Sequence, residues 1–411
     1  MLFKAPRGTR DIFGLDAQGF RELENKAAEI FKSRSFIEVK TPVFEDSGLF
    51  LRSIGLETDI VSKEMYLFED KKGRKLALRP EGTAGVVRAY IENRFDMNYP
   101  AGKFFYGGQM FRYERPQAGR YRQFNQMGAE YFGNSSPAAD AEIIITACEI
   151  LESVGIKDLS VHINSLGCQD CRLLFKEALV KYFSSQTDLC ADCQTRLEKN
   201  PLRLLDCKID APKFTGAPVM SAFLCPDCKT NFETVKYLLS VSGRSFISDD
   251  KLVRGLDYYT RCVFEIRSSA LGAQDALAGG GRYDNLVKEL GGQATPAVGF
   301  AFGTERVLLA AQTFGFLDNL PKKEKICVAY ADKELFENAF AFAMKYSKKE
   351  NVSVISPADG KNLTSQLKFA DKIGADKTII FAAAELKRGK VIIKDMKSKA
   401  QNEVNISDIT G

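Results

Sequence analysis

Six side chains able to grip oxygen, Arg112, Arg115, Gln117, Arg120, Arg122 and Gln123, crowd into the stretch GGQMFRYERPQAGRYRQFNQMGAE that runs from Gly107 to Glu130. Phe111, Tyr113, Tyr121 and Phe124 are interleaved with them. A guanidinium is planar, permanently charged and able to hold two oxygens, so the cluster suits phosphate. A solvated ribbon whose arginines pair with Glu114 and Glu130 would use the same residues without chemistry. Two further stretches combine charge with backbone freedom: RGLDYYT from Arg254 to Thr260, and GGGRYD from Gly279 to Asp284. Arg306 stands near a predicted helix start, where the helix dipole disfavours a cation unless an anion binds there.

Seven of the ten cysteines fall between residues 167 and 245, as Cys168 with Cys171, Cys190 with Cys193, Cys225 with Cys228, and Cys207 alone. C-x-x-C pairs at such spacing suit a closed four-thiolate zinc site. We favour Cys190, Cys193, Cys225 and Cys228, which share an L-C-x-D-C context, while reduced, unligated thiols remain the alternative. The single histidine, His162, lies in a predicted strand, LSVHINSL, and has no sequence neighbours suited to making it a catalyst. Any reaction here is therefore expected to need no histidine base.

These residues must be positioned by regular elements. Apolar positions 20, 23, 27, 30 and 31 recur at helical spacing, predicting an amphipathic helix from Asp16 to Phe36. A strand through Val39 ends at Pro42, and MYLFED and KLALRP flank a Lys71–Arg74 turn as a hairpin. Pro80 is expected to open a helix whose N-terminus Glu81 and Thr83 cap. Alternating residues on either side of the Pro116–Gly119 turn predict that 107–130 is a second hairpin. Ser136 and Pro137 start another helix. VGFAFG predicts a buried strand running into the helix that carries Arg306. From Lys325 on, strands and helices alternate as a small α/β unit with a mostly parallel sheet.

The Phe111–Glu114 strand, F-R-x-E, followed by a loop and a strand ending Q-x-G-x-E resembles motif 2 of class II aminoacyl-tRNA synthetases. RPQAGRYRQF is similar to the form found in the histidyl-tRNA synthetase family, and RGLDYYT and GGGRYD match signatures of that family. GFAFGTER has the form of motif 3, and the first helix, strand and Pro42 resemble motif 1, which lies at the dimer interface. The resemblance implies an α+β fold, an antiparallel sheet flanked by helices in a catalytic domain over 1–320. Within it, 168–245 is expected as a helical, cysteine-rich insertion, and 324–411 as an α/β anticodon-binding domain.

The implied activity is that of a histidine–tRNA ligase, which joins ATP and L-histidine as histidyl-adenylate and passes the histidyl group to the 3′ end of tRNA(His). Residue by residue, the resemblance assigns the substrate ammonium to Glu81 and Thr83, and the imidazole nitrogens to Glu130 and Tyr259, with Gln126 and Tyr283 completing that pocket. Arg254 is implied at the reacting carboxylate and α-phosphate. Arg112 is implied at the α-phosphate, Arg306 at the γ-phosphate, Phe124 on adenine, and Glu114 among the ATP contacts. Arg115, Gln117 and Arg120 are candidates for the tRNA acceptor stem. Magnesium is expected with the ATP, zinc is an option in the insertion, and a homodimer is expected. The alternative is a regulatory subunit of ATP phosphoribosyltransferase in histidine biosynthesis, which shares the catalytic fold but degrades these motifs and lacks the last domain.

The bulk composition fits this. The 411 residues carry a net charge of +5 and are 45% hydrophobic, which permits a polyanionic partner without requiring one. No apolar run is long enough to span a bilayer and the N-terminus lacks a signal-peptide pattern, so a cytoplasmic protein without a membrane partner is expected.

Overall fold

The computed structural model describes residues 3–410 except 56, 57, 59, 100, 118, 187, 206, 208, 211, 212, 215, 273 and 274. Ala118 of the predicted turn thus lies outside the described residues. The chain divides into two compact units, Met1–Leu320 and Pro321–Gly411.

Helix α1 (Gly14–Ser33) buries Phe20, Leu23, Ala27 and Phe31 along one stripe, as the spacing requires. It ends before the predicted Phe36 because Ser35 turns into the left-handed region at φ 63°. That turn folds Phe36 back, with its N–H donating to the Phe31 carbonyl at 3.0 Å. Strands β1 (Ile37–Glu38) and β2 (Phe44–Asp46) lead to α2 (Ser47–Ile54), then to the hairpin of β3 (Leu67–Glu69) and β4 (Lys75–Leu78). Helix α3 (Thr83–Glu92) opens three residues later than Pro80 suggested. The Glu81 carboxylate accepts from Thr83 N at 2.6 Å and Ala84 N at 2.8 Å, so it caps the helix from outside. The single-turn α4 (Phe95–Asn98) follows.

Strands β5 (Lys103–Phe111) and β6 (Gln123–Phe132) are the arms of the arginine-rich hairpin. Helix α5 (Pro137–Ser153) begins at the expected Ser136 cap, whose hydroxyl accepts from Ala138 N. After β7 (Leu159–Ser165) come α6 (Gln169–Phe183), α7 (Ala191–Lys199) and α8 (Pro226–Val241). The unit is completed by β8 (Ile247–Ser248), β9 (Thr260–Ser268), β10 (Ala276–Arg282), α9 (Leu286–Glu289), β11 (Ala297–Gly303) and α10 (Thr304–Thr313).

Eight strands form one sheet in the order β1-β5-β6-β11-β10-β9-β7-β8, antiparallel except for the edge pairs β1–β5 and β7–β8. One face is a conventional core. Met127 and Ala129 of β6, Phe300 and Phe302 of β11, and Phe264 and Ile266 of β9 pack there against α1, α5, α8 and α10. Helix α8 contributes Phe232, Val235 and Leu239 to this core. It therefore belongs to the layer behind the sheet, which makes the cysteine lobe narrower than the 168–245 insertion expected from sequence. Because strand side chains alternate between faces, residues 124, 126, 128 and 130 of β6 must point the other way.

The sheet is tied to α5 by a buried ion pair. Arg282 and Asp140 are 0% and 1% exposed. Arg282 Nε donates to Asp140 Oδ1 and Oδ2 at 3.1 and 3.0 Å, and its Nη atoms donate to the Asn134 and Ser136 carbonyls at 2.9 and 3.2 Å.

The second unit comprises β12 (Glu324–Tyr330), α11 (Phe336–Tyr346), β13 (Val352–Ile355), α12 (Leu363–Lys372), β14 (Lys377–Phe381), α13 (Ala383–Leu386), β15 (Lys390–Asp395), β16 (Gln401–Asn405) and α14 (Ile406–Thr410). Its sheet, β13-β12-β14-β15-β16, is parallel only across the first three strands. The β14–β15 and β15–β16 pairs are antiparallel, so the sheet is mixed where a mostly parallel one was expected. Strand β16 carries only one half-buried residue and had no apolar pattern to announce it. Among the described residues no helix is long and apolar enough to cross a membrane.

Candidate functional site

The open face of the sheet has a floor without side chains. In register, Gly303 faces Gln126, Ala301 faces Gly128 and Gly299 faces Glu130 across β11 and β6. Next to them Gly279 pairs with Ala301 and Gly281 with Gly299. Directly paired residues share a face, so five small residues of β10 and β11 lie beside Gln126 and Glu130. This space is already used by neighbouring functional groups. A Cβ on Gly279 would strike the Arg254 guanidinium, and one on Gly299 would strike the Glu130 carboxylate. The GGGRYD and GFAFG glycines thus clear room for this chain's own charged groups.

At one end of the floor lies a buried acid pair. Glu130 is 0% exposed and Glu81 4%. The Thr83 hydroxyl donates to Glu130 Oε1 at 2.7 Å while Thr83 N donates to Glu81 Oε2, so one residue bridges both acids. The Tyr283 hydroxyl donates to Glu130 Oε2, and Tyr258 packs between Tyr259, tilted at 51°, and Tyr283, edge-on at 67°, with ring centroids 4.7 and 5.4 Å apart. Burial pushes the Glu130 carboxyl up to about 8, against the lowering effect of its Tyr283 and Thr83 bonds. Burial also raises Glu81, whose three bonds with Ala84 and Thr83 and whose proximity to Arg112 pull the other way. Two desolvated acids bridged by one threonine are suited to a cationic ligand. Gln126, on the same face of β6 towards the other end, has its Oε1 buried without a hydrogen-bond partner and offers a further acceptor.

The Glu130 shift has a stability consequence. The folded protein holds this proton up to about pH 8, whereas an ordinary glutamate releases it near 4.5. Across that window the native state binds more protons, so stability falls as pH rises and levels off above it. Glu130→Gln should make this slope shallower in urea unfolding at the two ends of the window. It should also raise the requirement for a cationic or imidazole ligand by roughly 10- to 150-fold, the worth of one hydrogen bond to a charged group. An unchanged slope together with unchanged ligand affinity would remove Glu130 from the site.

The other end of the floor is cationic. A cavity of about 410 Å³ is lined by Arg112, Glu114, Arg120, Phe124, Gln126 and Arg306, among others. Arg112 donates to the Pro80 carbonyl at 2.8 Å and its guanidinium carbon lies 5.4 Å from the Phe124 ring centre. Arg306 is anchored on the Ala276 carbonyl at 3.1 and 2.9 Å. Burial and then the nearby Arg120 charge lower the Arg306 pKa. Glu114 meets Arg112 and Arg120 only loosely, at 3.8 and 3.5 Å. Glu305, one helical position before Arg306, instead clamps Asn125 N and Nδ2 at 2.9 Å and fixes β6 against α10.

Arg254 lies over the middle of the floor, its guanidinium against Gly279, which pairs with Ala301. Its Nη1 donates to Glu265 Oε2 at 2.5 Å, and Glu265 Oε1 accepts from Arg267 at 2.7 Å. Its Nε is buried without a partner. Arg115 and Gln117 are exposed on the hairpin loop, where the Gln117 and Arg120 backbones bond each other at 3.1 and 2.9 Å. His162 lies on β7, its Nδ1 3.2 Å from Asp249 Oδ2, in the structural strand position expected of it.

Sequence reading missed Arg203, Ile60 and Glu64, which also line the cavity, and gave no role to Tyr121 of the hairpin, which lines it too. Arg203, Ile60 and Glu64 belong to no motif, and Arg203 arrives from the cysteine lobe. The cysteine grouping also needs correction. Cys225 and Cys228 do not join Cys190 and Cys193. They meet Cys168 and Cys171, while Cys190 and Cys193 meet Cys207 and Asp210. The L-C-x-D-C likeness reflects a shared helix-start geometry and not a shared centre.

The model of a family described as histidyl-tRNA synthetase matches residues 8–178 and 226–307. A histidine–tRNA ligase of Endomicrobium trichonymphae is 62% identical over 99% of this chain and 100% of its own length. The crystal structure of apo histidyl-tRNA synthetase from S. aureus gives a TM-score of 0.83 at 33% identity, covering 100% of this chain and 99% of that one. A Bacillus halodurans structure described as an ATP phosphoribosyltransferase regulatory subunit/histidyl-tRNA synthetase gives 0.68 at 20% identity over 93% of this chain and 99% of that one, a likeness of fold alone. Full-length identity, and not fold, separates the two expectations raised by the motifs: this chain belongs to the histidyl-tRNA synthetase family.

Proposed function

We infer that this chain is a histidine–tRNA ligase, activating L-histidine with ATP and transferring the histidyl group to tRNA(His). The observation that supports the reading is that the buried Glu81–Thr83–Glu130 cluster and an arginine-lined cavity share one face of the sheet, with Arg254 over Gly279 on the floor. The substrate ammonium sits at Glu81 and Thr83. Its imidazole lies between Glu130, Tyr259 and Tyr283, with Gln126 beside it. Adenine stacks on Phe124, an apolar and flat partner. Arg112 holds the α-phosphate and Arg306 the γ-phosphate.

In the first step a histidine carboxylate oxygen forms a bond to the α-phosphorus. The bond from that phosphorus to the bridging oxygen breaks, and pyrophosphate leaves with the electron pair. No proton moves, so no general base is needed, in keeping with a lone histidine engaged by Asp249. Arg254 lies where the two reactants meet and offsets the charge gathering on phosphate and carboxylate. Magnesium arriving with ATP would neutralise phosphate charge, and the loosely paired Glu114 is the cavity carboxylate suited to hold it.

Arg115, Gln117 and Arg120 form the acceptor-stem contact, with the exposed Gln117 as base reader. Residues 324–411 are the anticodon-binding unit. Ile37, Val43, Phe44, Leu67 and Phe68 are exposed around β1–β3, an apolar patch that favours a homodimer through this region. A tRNA substrate places the protein in the cytoplasm.

The test is ATP–pyrophosphate exchange with each amino acid in turn, without tRNA. Exchange with histidine alone is expected, because a site built on hydrogen bonds rejects analogues lacking them by about 10⁴- to 10⁵-fold. Folded protein that exchanges with no amino acid would overturn the reading in favour of a regulatory role.

A further inference from the structure

We propose that the cysteine lobe holds two zinc ions, one at Cys168, Cys171, Cys225 and Cys228 and a second at Cys190, Cys193, Cys207 and Asp210. In each group the four ligand atoms lie within 4.8 Å of one another. The Sγ atoms of Cys168 and Cys171 are 3.5 Å apart, and those of Cys190 and Cys207 are 3.8 Å apart. A tetrahedron with zinc–sulfur bonds of about 2.3 Å has sulfur–sulfur edges of about 3.8 Å. These separations therefore match edges of a metal site, and they far exceed the sulfur–sulfur bond of about 2.05 Å in a disulfide.

The same local construction occurs three times. Cys168, Cys190 and Cys225 are the N-caps of α6, α7 and α8, each with extended backbone. Their partners Cys171, Cys193 and Cys228 are the third residues of those helices. Each pair thus hangs two sulfurs over a helix start, where the dipole and free N–H groups favour thiolate. The Cys225 N–H already points at Cys171 Sγ, at 3.1 Å, and the Asp210 N–H at Cys207 Sγ, at 3.4 Å.

The ligand count closes. All seven cysteines of the lobe are used, and the eighth ligand is a carboxylate, Asp210, that is 0% exposed. Cys148, Cys262 and Cys327, by contrast, are single buried thiols of the other cores. Four protein ligands leave no open position, which is the mark of a structural zinc site. The lobe also needs staples. Four of the eleven buried residues of its core are cysteines, leaving few apolar side chains to hold it.

The first centre fixes the N-terminus of α6 to that of α8, which is anchored in the main core. The second ties α7 to Cys207 and Asp210. Both steady a lobe that reaches the RGLDYYT corner: Arg172 Nη1 donates to the Tyr259 carbonyl and Asn200 Nδ2 to Asp257 Oδ1, each at 2.9 Å.

Metal analysis of the purified full-length chain, covering zinc and iron, is the test. Two zinc ions per chain are expected. Cys228→Ser and Cys193→Ser should each retain one, and the double variant none. After exchange to cobalt, thiolate charge-transfer absorption in Cys193→Ser should exceed that in Cys228→Ser by about four to three, the ratio of thiolates in the surviving centres. One ion or none in the wild type, iron in place of zinc, or lobe cysteines joined as disulfides would overturn the proposal, whether or not the variants fold.

Discussion

Arg254→Ala is expected to lower histidine-dependent ATP–pyrophosphate exchange by about 10²- to 10³-fold, the usual effect of removing one preorganised donor from developing charge. The geometry makes this a clean experiment. Glu265, the carboxylate that Arg254 leaves behind, keeps Arg267 at 2.7 Å, so no buried charge is stranded and the fold should survive. Alanine also leaves Gly279 without the guanidinium above it, opening space instead of creating a clash. The loss should fall on the rate of the chemical step more than on nucleotide affinity, which the proposed function assigns to Arg112, Phe124 and Arg306. Arg254→Lys should restore only part of the rate, since a point charge cannot bridge carboxylate and phosphate as a planar fork does. A folded Arg254→Ala protein exchanging within about tenfold of wild type would remove Arg254 from the reaction centre.

Arg282→Ala is expected to cost about 3–5 kcal/mol of stability, because it strands Asp140 as a buried charge. Burial by itself raises the Asp140 pKa, and Arg282 is what opposes the rise. Urea unfolding measures the loss. A double change, Asp140→Ala with Arg282→Ala, should cost less than the two singles summed, since the pair is lost together. A single-variant loss below about 1 kcal/mol would show that the pair carries little stability. The substitution should also disturb histidine use, because Tyr283 follows directly and its hydroxyl rests on Glu130.

The part of the site carried by one continuous segment was legible. In 107–130 the turn residues and two-residue alternation dictate a hairpin, and the even spacing of Phe124, Gln126 and Glu130 puts all three on one sheet face. Features assembled from distant segments were not. The Cys168 pair meets the Cys225 pair only because α8 packs behind the sheet, which no spacing rule encodes. Asp210 has no motif, and Arg203 reaches the cavity from a lobe that reads as ordinary polar helix. Glu81 looked like a first-turn residue of α3, but its side chain caps the helix from outside, and the helix starts three residues after Pro80. The glycine-rich runs announced backbone freedom but not its use: Gly279 and Gly299 make room for Arg254 and Glu130. In the C-terminal unit, alternation of strands and helices correctly indicated the parallel half of the sheet. Strands β15 and β16, joined by a short turn, follow a hairpin logic that the same pattern hides.

The side-chain-free strip along β10 and β11 also limits how this protein can change over evolution. Four of its five positions are already glycine and the fifth is alanine. Mutation there can almost only add atoms, so this wall can shrink the amino-acid pocket but has almost nothing left to give up. A descendant that charges a bulkier amino acid would have to find its space among the tyrosines at 258, 259 and 283. Tyr283 bonds Glu130 directly and Tyr258 packs against Tyr283, so enlarging the pocket and keeping the proposed grip on imidazole are opposed. On this backbone, a change of amino-acid identity would have to pass through an intermediate that binds histidine poorly and its new substrate no better.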